Sequence, residues 1–122
     1  MSERKSILKD KSFKFAVRII KLYQFLVDEK KEYIISKQLL RSGTSIGAMV
    51  REAQNAESKK DFIHKMSISQ KECDESMYWI ELLKEANYLN EQEFENINND
   101  AIELLKMLRS AIITSKNNTY NS

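Results

Sequence analysis

The sequence predicts an all-α protein, and three observations carry this prediction. The chain contains no proline and only two glycines, so it lacks the residues from which tight β-turns are built. Apolar residues recur at intervals of three and four over long stretches, which is the spacing of one helix face. Lys, Glu, Leu, Ile and Ala are plentiful, and this composition favours helices over strands joined by hairpins. We therefore expect four helices with short connections, arranged as an up-down-up-down four-helix bundle.

The whole chain, residues 1–122, suits a single domain that is large enough for a real core. We expect residues 1–11 to form a flexible basic arm and residues 116–122 a flexible polar tail. No apolar run approaches the roughly 20 residues that span a bilayer, and no signal-peptide core follows the charged N-terminus. The single cysteine, Cys73, has no partner for an internal disulfide. These features predict a cytoplasmic protein without a membrane partner.

The first helix is predicted to begin near Ser12 and to end at about Lys31. It carries two apolar rows, of which Phe15, Ile19, Leu22 and Leu26 form one, and Phe13, Ile20 and Val27 the other. A narrow polar stripe of Lys14, Arg18 and Lys21 remains between them. This is more apolar surface than one bundle core usually requires. The basic stripe fits a solvated face better than a nucleic-acid grip.

The second helix, predicted from Ser36 to Glu57, contains both glycines of the chain, Gly43 and Gly47. A glycine inside a helix costs about 1 kcal/mol relative to alanine, so two of them one turn apart indicate a close approach of another backbone. We expect Ser36 to cap the helix start, with Ile35 and Leu40 at the staple positions. The inward row, at helical spacing, is Leu39, Gly43, Ile46, Val50 and Ala53.

The third and fourth helices both begin with capping signals. Ser58 and Asp61 predict a short-armed capping box for the third helix, which is expected to end at about Asn87. Asn90 and Glu93 predict a full box for the fourth helix, which is expected to end near Ser115. The inward row of the third helix is Phe62, Met66, Ser69, Cys73, Ile80 and Leu83, with Ser76 or Met77 in the remaining turn. The inward row of the fourth is Phe94, Ile97, Ala101, Leu104, Leu108 and Ala111.

A second row on the third helix places two carboxylates, Glu72 and Glu75, on the same face as the only tryptophan, Trp79. Carboxylates beside large apolar groups are costly unless they are paired. Arg41 or Arg51 of the second helix is the expected partner, in the same subunit or in a neighbour. We therefore predict a structural or interface polar cluster, with these members: Arg41, Ser42, Ser45, Glu52, Glu72, Glu75 and Trp79.

Charge is divided unevenly along the chain. Residues 1–71 contain 16 Lys/Arg against 8 Asp/Glu, a net charge of +8, whereas residues 72–122 contain 4 against 10, a net charge of −6. The basic part could meet phosphates, or the acidic part of another copy, or could simply be solvated. The candidate nucleic-acid-binding residues are Lys14, Arg18, Lys21, Arg51, Lys59, Lys60 and Lys65.

Four stretches in this order, KSFKFAVRIIKLY, SKQLLRSGTSIGA, EAQNAESKKDFIHKMSIS and KECDESMYWIELL, resemble the bacterial four-helix bundle protein family. That family is also named for proteins encoded in intervening sequences of 23S ribosomal RNA. The resemblance covers nearly the whole chain and implies a left-handed up-down bundle that assembles as a homopentamer, without an established enzymatic activity. A related branch resembles the accessory protein of diversity-generating retroelements, a pentameric barrel that binds a reverse transcriptase and RNA. This chain departs from the family at Met49, where the family usually has asparagine, so a family function that depends on that amide is not expected here.

Enzymatic interpretations are weaker. A di-iron site in a four-helix bundle needs two Glu-x-x-His motifs, and this chain has one histidine, His64, preceded by Asp61. The lone Cys73 lies on an inward row and suits packing better than nucleophilic attack. Glu72 and Glu75 could form an acid/base pair, although carboxylates facing an arginine are usually structural. We therefore expect no catalytic or metal site, no cofactor and no small-molecule substrate.

Two hypotheses remain. The first is a non-enzymatic module that assembles with itself, with five subunits preferred from the resemblance. The second is an RNA-binding or reverse-transcriptase accessory protein that uses the basic surface of the N-terminal half, although no recognised RNA-binding motif and no aromatic platform accompany the basic residues.

Overall fold

The computed structural model describes residues 3–121, with the side chains of residues 7–118, and consists of four α-helices. These are α1 (Glu3–Asp28), α2 (Ile35–Gln54), α3 (Lys59–Glu85) and α4 (Glu91–Asn121). No strand occurs in the described residues. The prediction of an all-α four-helix arrangement is confirmed.

The predicted start of the first helix is wrong, because α1 begins at Glu3 and already contains Ser12. Ser12 is fully buried, and its hydroxyl donates to the Lys9 carbonyl oxygen at 3.1 Å, a bond to the preceding turn of the same helix. Serine is common at helix starts, but here a small side chain is needed inside a helix contact. At the other end of the chain, α4 continues through residues 116–121 rather than ending near Ser115.

The start of α2 also differs from the prediction, because Glu32 and not Ser36 supplies the capping oxygens. The Glu32 carboxylate accepts hydrogen bonds from the backbone N–H groups of Ile34, Ile35 and Ser36, at 3.1, 3.0 and 2.6 Å. The Ser36 hydroxyl instead donates to the Glu32 carbonyl oxygen at 2.8 Å. Burial raises the pKa of Glu32, but the three N–H donors outweigh it and leave the pKa below its ordinary value. A buried carboxylate therefore stabilises the positive end of α2.

The predicted caps of α3 and α4 are both present. The Ser58 hydroxyl accepts from the Asp61 N–H at 3.0 Å, and the Asp61 carboxylate reaches back to the Glu57 N–H at 3.3 Å. Asn90 and Glu93 exchange two hydrogen bonds of 2.8 and 2.9 Å, which completes a capping box. Local spacing alone was enough to predict these two helix starts.

The core lies between the four helices and is built mainly from the predicted inward rows. Its fully buried large side chains include Phe15, Ile19, Leu26, Leu39, Ile46, Val50, Met66, Cys73, Ile80, Leu83, Leu104 and Leu108. Each of these Val, Leu, Ile, Phe and Met side chains contributes about 1.5–3 kcal/mol relative to an exposed position. By contrast, Phe13 and Ile20 of the second row on α1 remain outside, at 51% and 40% exposure.

The two glycines lie where α2 meets α1. A Cβ atom at Gly43 would lie 2.8 Å from Ile19 Cγ1 and 2.9 Å from Ile19 Cγ2. A Cβ atom at Gly47 would lie 3.3 Å from both the carbonyl oxygen and the Oγ of Ser12. The bare surface of α2 is therefore filled by α1 of the same chain.

Each helix packs against two others in the described part of the chain. The backbones of α1 and α2, α2 and α3, α3 and α4 and, less extensively, α1 and α4 approach each other, whereas those of α1 and α3 do not. Helices α1 and α3 are therefore separated by the core. Among the described residues, no helix combines the length and apolar character required to cross a bilayer.

Candidate functional site

Four of the predicted cluster residues meet on the surface between α2 and α3. Arg41 donates from Nη1 to Glu72 Oε2 at 3.0 Å and from Nη2 to Glu75 Oε2. The indole N–H of Trp79 donates to the same Glu75 oxygen at 2.9 Å. Residues 72, 75 and 79 lie on one face because three- and four-residue steps bring helical side chains into line. Of the two arginines considered from sequence, Arg41 is the partner.

The electrostatics of this cluster suit a structural role better than proton transfer. The hydrogen bond from Trp79 lowers the pKa of Glu75, and although burial opposes it, Arg41 adds to the lowering. The pKa of Arg41 is raised in turn, chiefly by its hydrogen bond to Glu75. A general acid near neutral pH needs a carboxyl pKa moved upward, which is the opposite direction. The cluster is therefore a fixed ion pair that holds α2 against α3 beside an aromatic ring.

The remaining predicted members do not join the ion pair. Ser42 is buried, and its hydroxyl lies 2.9 Å from that of Ser76 on α3. Ser45 donates to the Arg41 carbonyl oxygen at 2.6 Å, and Glu52 pairs with Lys65 at 3.3 Å. The contact between the two buried serines joins the helices at the core, and sequence analysis did not predict it. Two small residues are the signal that could have indicated it, since Ser42 lies next to the inward Gly43 and Ser76 is a candidate for the inward row of α3.

The candidate nucleic-acid-binding residues do not form one uncommitted surface. Lys14 pairs with Asp10 at 3.0 Å, and Arg18 binds Asp100 and Asn96 of α4. Lys65 is the partner of Glu52, as described above. Exposed pairs of this kind are worth little in stability, so they can be exchanged for a phosphate.

Arg51 lies over the ring of Phe13, with its guanidinium carbon 5.5 Å from the ring centroid. Lys21, Lys59 and Lys60 are exposed and form no ion pair with a described residue. Lys59 lies close to Leu8 of α1, because both line one pocket. Lys21 lies about 20 Å further along α1 than Leu8, as the helical rise gives. The unpaired lysines therefore lie in two separate places.

A pocket of about 610 Å³ opens at the end of the bundle where α2 ends and α3 begins. Its apolar lining includes Leu8, Val50, Ala53, Phe62 and Met66, and its rim includes Ser58, Lys59 and Asn118. The volume falls within the range of small-molecule sites. No small-molecule substrate is expected from the sequence, and no local pattern in it indicates this pocket, because the walls come from all four helices.

The groups considered for catalysis are placed as packing and surface residues. Cys73 is fully buried 3.4 Å from the Ala101 carbonyl oxygen, and burial first, then the charge of Asp74, raises the pKa of its thiol to about 12. A protonated buried thiol is a poor nucleophile. His64 is exposed near the start of α3. Residues 7–118 contain no group of three His, Cys, Asp or Glu side chains arranged to hold a metal ion.

The family model of the 23S rRNA-intervening sequence protein matches residues 4–110. The chain belongs to the 23S rRNA-intervening sequence protein family. The resemblance seen in the four sequence stretches is thus confirmed. No curated protein matches the chain.

A crystal structure at 1.70 Å resolution supports the same family fold. It is of a protein with unknown function from the S23 ribosomal protein family of Bacteroides thetaiotaomicron VPI-5482. The two chains are 53% identical, with a TM-score of 0.88, and the match covers 89% of this chain and 97% of that chain. For this 23S rRNA-intervening sequence family protein, the comparisons give the fold, and its function must be argued from its surfaces.

Proposed function

We propose that this protein is a non-enzymatic, self-assembling four-helix bundle protein of the cytoplasm that forms a homopentameric ring. The observation that supports assembly is the set of large apolar side chains left outside a core that is complete without them. Those at least 40% exposed are Ile7, Phe13, Ile20, Tyr33, Ile34, Tyr78 and Ile113. Aromatic residues, here Phe13, Tyr33 and Tyr78, are enriched at the buried centres of protein–protein interfaces.

The proposed topology is up-down-up-down with a left-handed sense. The contacts between α1 and α2 support opposite directions for these two helices, because Ser12 lies at Gly47 and Ile19 at Gly43, so rising numbers on α1 meet falling numbers on α2. The handedness and the number of five subunits rest on the family resemblance.

The non-enzymatic part of the proposal is supported by the state of the reactive groups. The carboxylates of Glu72 and Glu75 are held by Arg41, and the thiol of Cys73 is buried and protonated. A free thiol also fits a reducing compartment, which is the support for a cytoplasmic location.

Light scattering on the eluting chromatographic peak tests the assembly. At micromolar concentration and physiological salt, the mass should be about five times the 14.3 kDa of one chain, and native mass spectrometry should give the integer. A single-chain mass under these conditions would refute self-assembly, and another integer would correct the subunit count alone.

RNA binding, with or without a reverse transcriptase partner, is the alternative function. It is favoured by the unpaired, exposed Lys21, Lys59 and Lys60, and by the reference to 23S rRNA in the family name. Such binding would be electrostatic, and a ring would repeat each weak contact around its axis. The logarithm of the affinity should then fall with the logarithm of salt at a slope near −0.7 for each single-strand phosphate contacted, with little sequence preference.

Replacement of Lys59, Lys60 and Lys65 by glutamine tests this alternative directly. The slope should flatten while the helical content and the subunit count stay unchanged. The matched control replaces Lys106 and Lys116, two exposed lysines of α4, by glutamine. Equal affinity and slope in the triple variant and the unmodified protein would leave those lysines as an ordinary solvated face.

A further inference from the structure

Two exposed faces of the molecule each carry an aromatic side chain with charged residues beside it. The net charge of these residues is positive on one face and negative on the other. The α1 face consists of Phe13 with Lys9 one turn before it, Ile20 two turns after it, and Arg51 of α2 stacked on its ring. It is apolar in the middle and positive at its edge. Phe13 is 51% exposed although it is among the largest apolar side chains of the chain.

The α3 face consists of Tyr78 with Asp74 one turn before it and Glu81 one turn after it. Tyr78 is 54% exposed and packs edge-on against the half-buried Trp79, with ring centroids 5.0 Å apart. Asp74 and Glu81 are exposed and form no ion pair with a described residue. Lys71 two turns before Tyr78 and Glu85 two turns after it are also exposed, so the α3 face has the same construction as the α1 face with a net negative charge.

We infer that the α1 face of one copy docks on the α3 face of the next copy. This inference rests on the proposed self-assembly and names the surfaces that would carry it. The charge complementarity selects a second copy as the occupant, because each copy presents both members of the pair. It also disfavours like-to-like pairing, which would bring Lys9 and Arg51 of both copies into one interface.

The placement of the two faces suits a closed ring. A ring needs heterologous contacts, in which two different surfaces of each subunit meet, whereas a two-fold dimer uses one surface twice. The backbone of α1 approaches those of α2 and α4 but not that of α3 in the described residues, so the two faces lie on helices separated by the core. One subunit can therefore contact two neighbours at the same time without the neighbours competing.

Charge reversal tests the pairing, because combining the reversed charges of both faces in one chain should restore assembly. One variant carries Lys9→Glu and Arg51→Glu, and a second carries Asp74→Lys and Glu81→Lys. Each should raise the dissociation constant of assembly by about a hundredfold or more, because both faces then carry the same sign. A chain with all four substitutions restores opposite signs and should assemble again. Mixing the two double variants should restore association between unlike chains but not a closed ring of five, because an odd number of alternating subunits leaves one junction between like-charged chains.

A matched control reverses two acidic residues outside both faces, Asp28→Lys and Glu95→Lys, and should keep the mass of the unmodified protein. Helical content from circular dichroism accompanies every variant, so that loss of fold is separated from loss of assembly. The mass of the unmodified protein tests the proposed function, and the variants test the interface within it. If the double variants keep the full mass, or if the fourfold variant stays dissociated while folded, the pairing of these faces is wrong.

Disulfide trapping gives an independent readout. A chain with Lys9→Cys and Glu81→Cys should form intermolecular disulfides that link successive subunits under mild oxidation. The buried thiol of Cys73 gives no background in the folded protein. A control pair at Asp28→Cys and Glu95→Cys should stay unlinked at the same protein concentration. Equal linking of both pairs would contradict the inferred interface.

Discussion

Gly43→Ala is expected to destabilise the protein although alanine is the better helix former. Propensity alone would favour the change by about 1 kcal/mol. The new Cβ atom, however, would lie 2.8 and 2.9 Å from the two γ carbons of Ile19 and 3.2 Å from its Cβ. Ile19 is fully buried and β-branched, so it cannot rotate its γ carbons away without a strained rotamer. Overpacking of this kind costs about 1–3 kcal/mol, and two contacts below 3 Å place this site in the upper part of that range.

The expected net loss is therefore about 1–2 kcal/mol in the free energy of unfolding. Urea denaturation followed by circular dichroism measures it, at one fixed protein concentration because assembly would add to the apparent stability. Gly47→Ala is the matched comparison, with its nearest contacts at 3.3 Å and a smaller expected loss.

A double-mutant cycle with Ile19→Ala identifies the cause of the loss. Ile19→Ala alone should cost about 2–5 kcal/mol through the cavity that it leaves. With both substitutions, the alanine at position 43 partly fills that cavity, so the two losses should sum to more than the loss of the double variant, by about 1 kcal/mol or more. Unchanged or higher stability of Gly43→Ala, or strictly additive losses, would refute the packing argument.

Three further predictions concern single residues. Gly47→Leu should lose about 1–3 kcal/mol by overpacking against Ser12, whereas Ser110→Leu at an exposed position of α4 should change stability by less than about 0.5 kcal/mol in the same melts. Glu32→Gln should lower the free energy of unfolding by about 1 kcal/mol at neutral pH. Because the pKa of Glu32 in the folded protein lies below the ordinary 4.5, this loss should persist above that pH and shrink as the pH falls below it. A loss that does not depend on pH would contradict the capping role. Cys73 should react with a thiol reagent at pH 8 only as fast as the protein unfolds, because its thiol is buried with a pKa of about 12, and rapid labelling of the folded protein would contradict this.

The features that sequence analysis predicted well are those determined by residues close together in the chain. The capping box of Asn90 and Glu93 is closed within four residues, so its spacing alone identified it. The inward rows also followed from helical periodicity, because a helix in a small bundle buries one continuous stripe. The partnership of Arg41 with Glu72 and Glu75 was predictable because few cations lie on the facing rows.

The features that were missed depend on contacts between distant residues. Ser12 predicts a helix start because serine commonly caps helices, and only the contact at Gly47 shows why a small residue stands there. The ion pair of Arg18 with Asp100 joins residues 82 positions apart, and periodicity does not specify which charged residues of α1 and α4 meet. Glu32 was missed as a cap because it reaches α2 from the preceding loop, outside the usual cap position.

The close contact at Gly47 also determines the outward position of Phe13. Since Ser12 must point toward α2 at this level, the next residue is turned by about 100° around α1 and is directed away from the core. Phe13 then lies beside α2, where Arg51 covers part of its ring and the rest stays exposed. Gly47 therefore has two effects. It lets α1 and α2 approach closely, and through the rotation of α1 it sets the position of Phe13 on the inferred docking face. Gly47→Leu should consequently weaken assembly even at temperatures where the bundle itself remains folded.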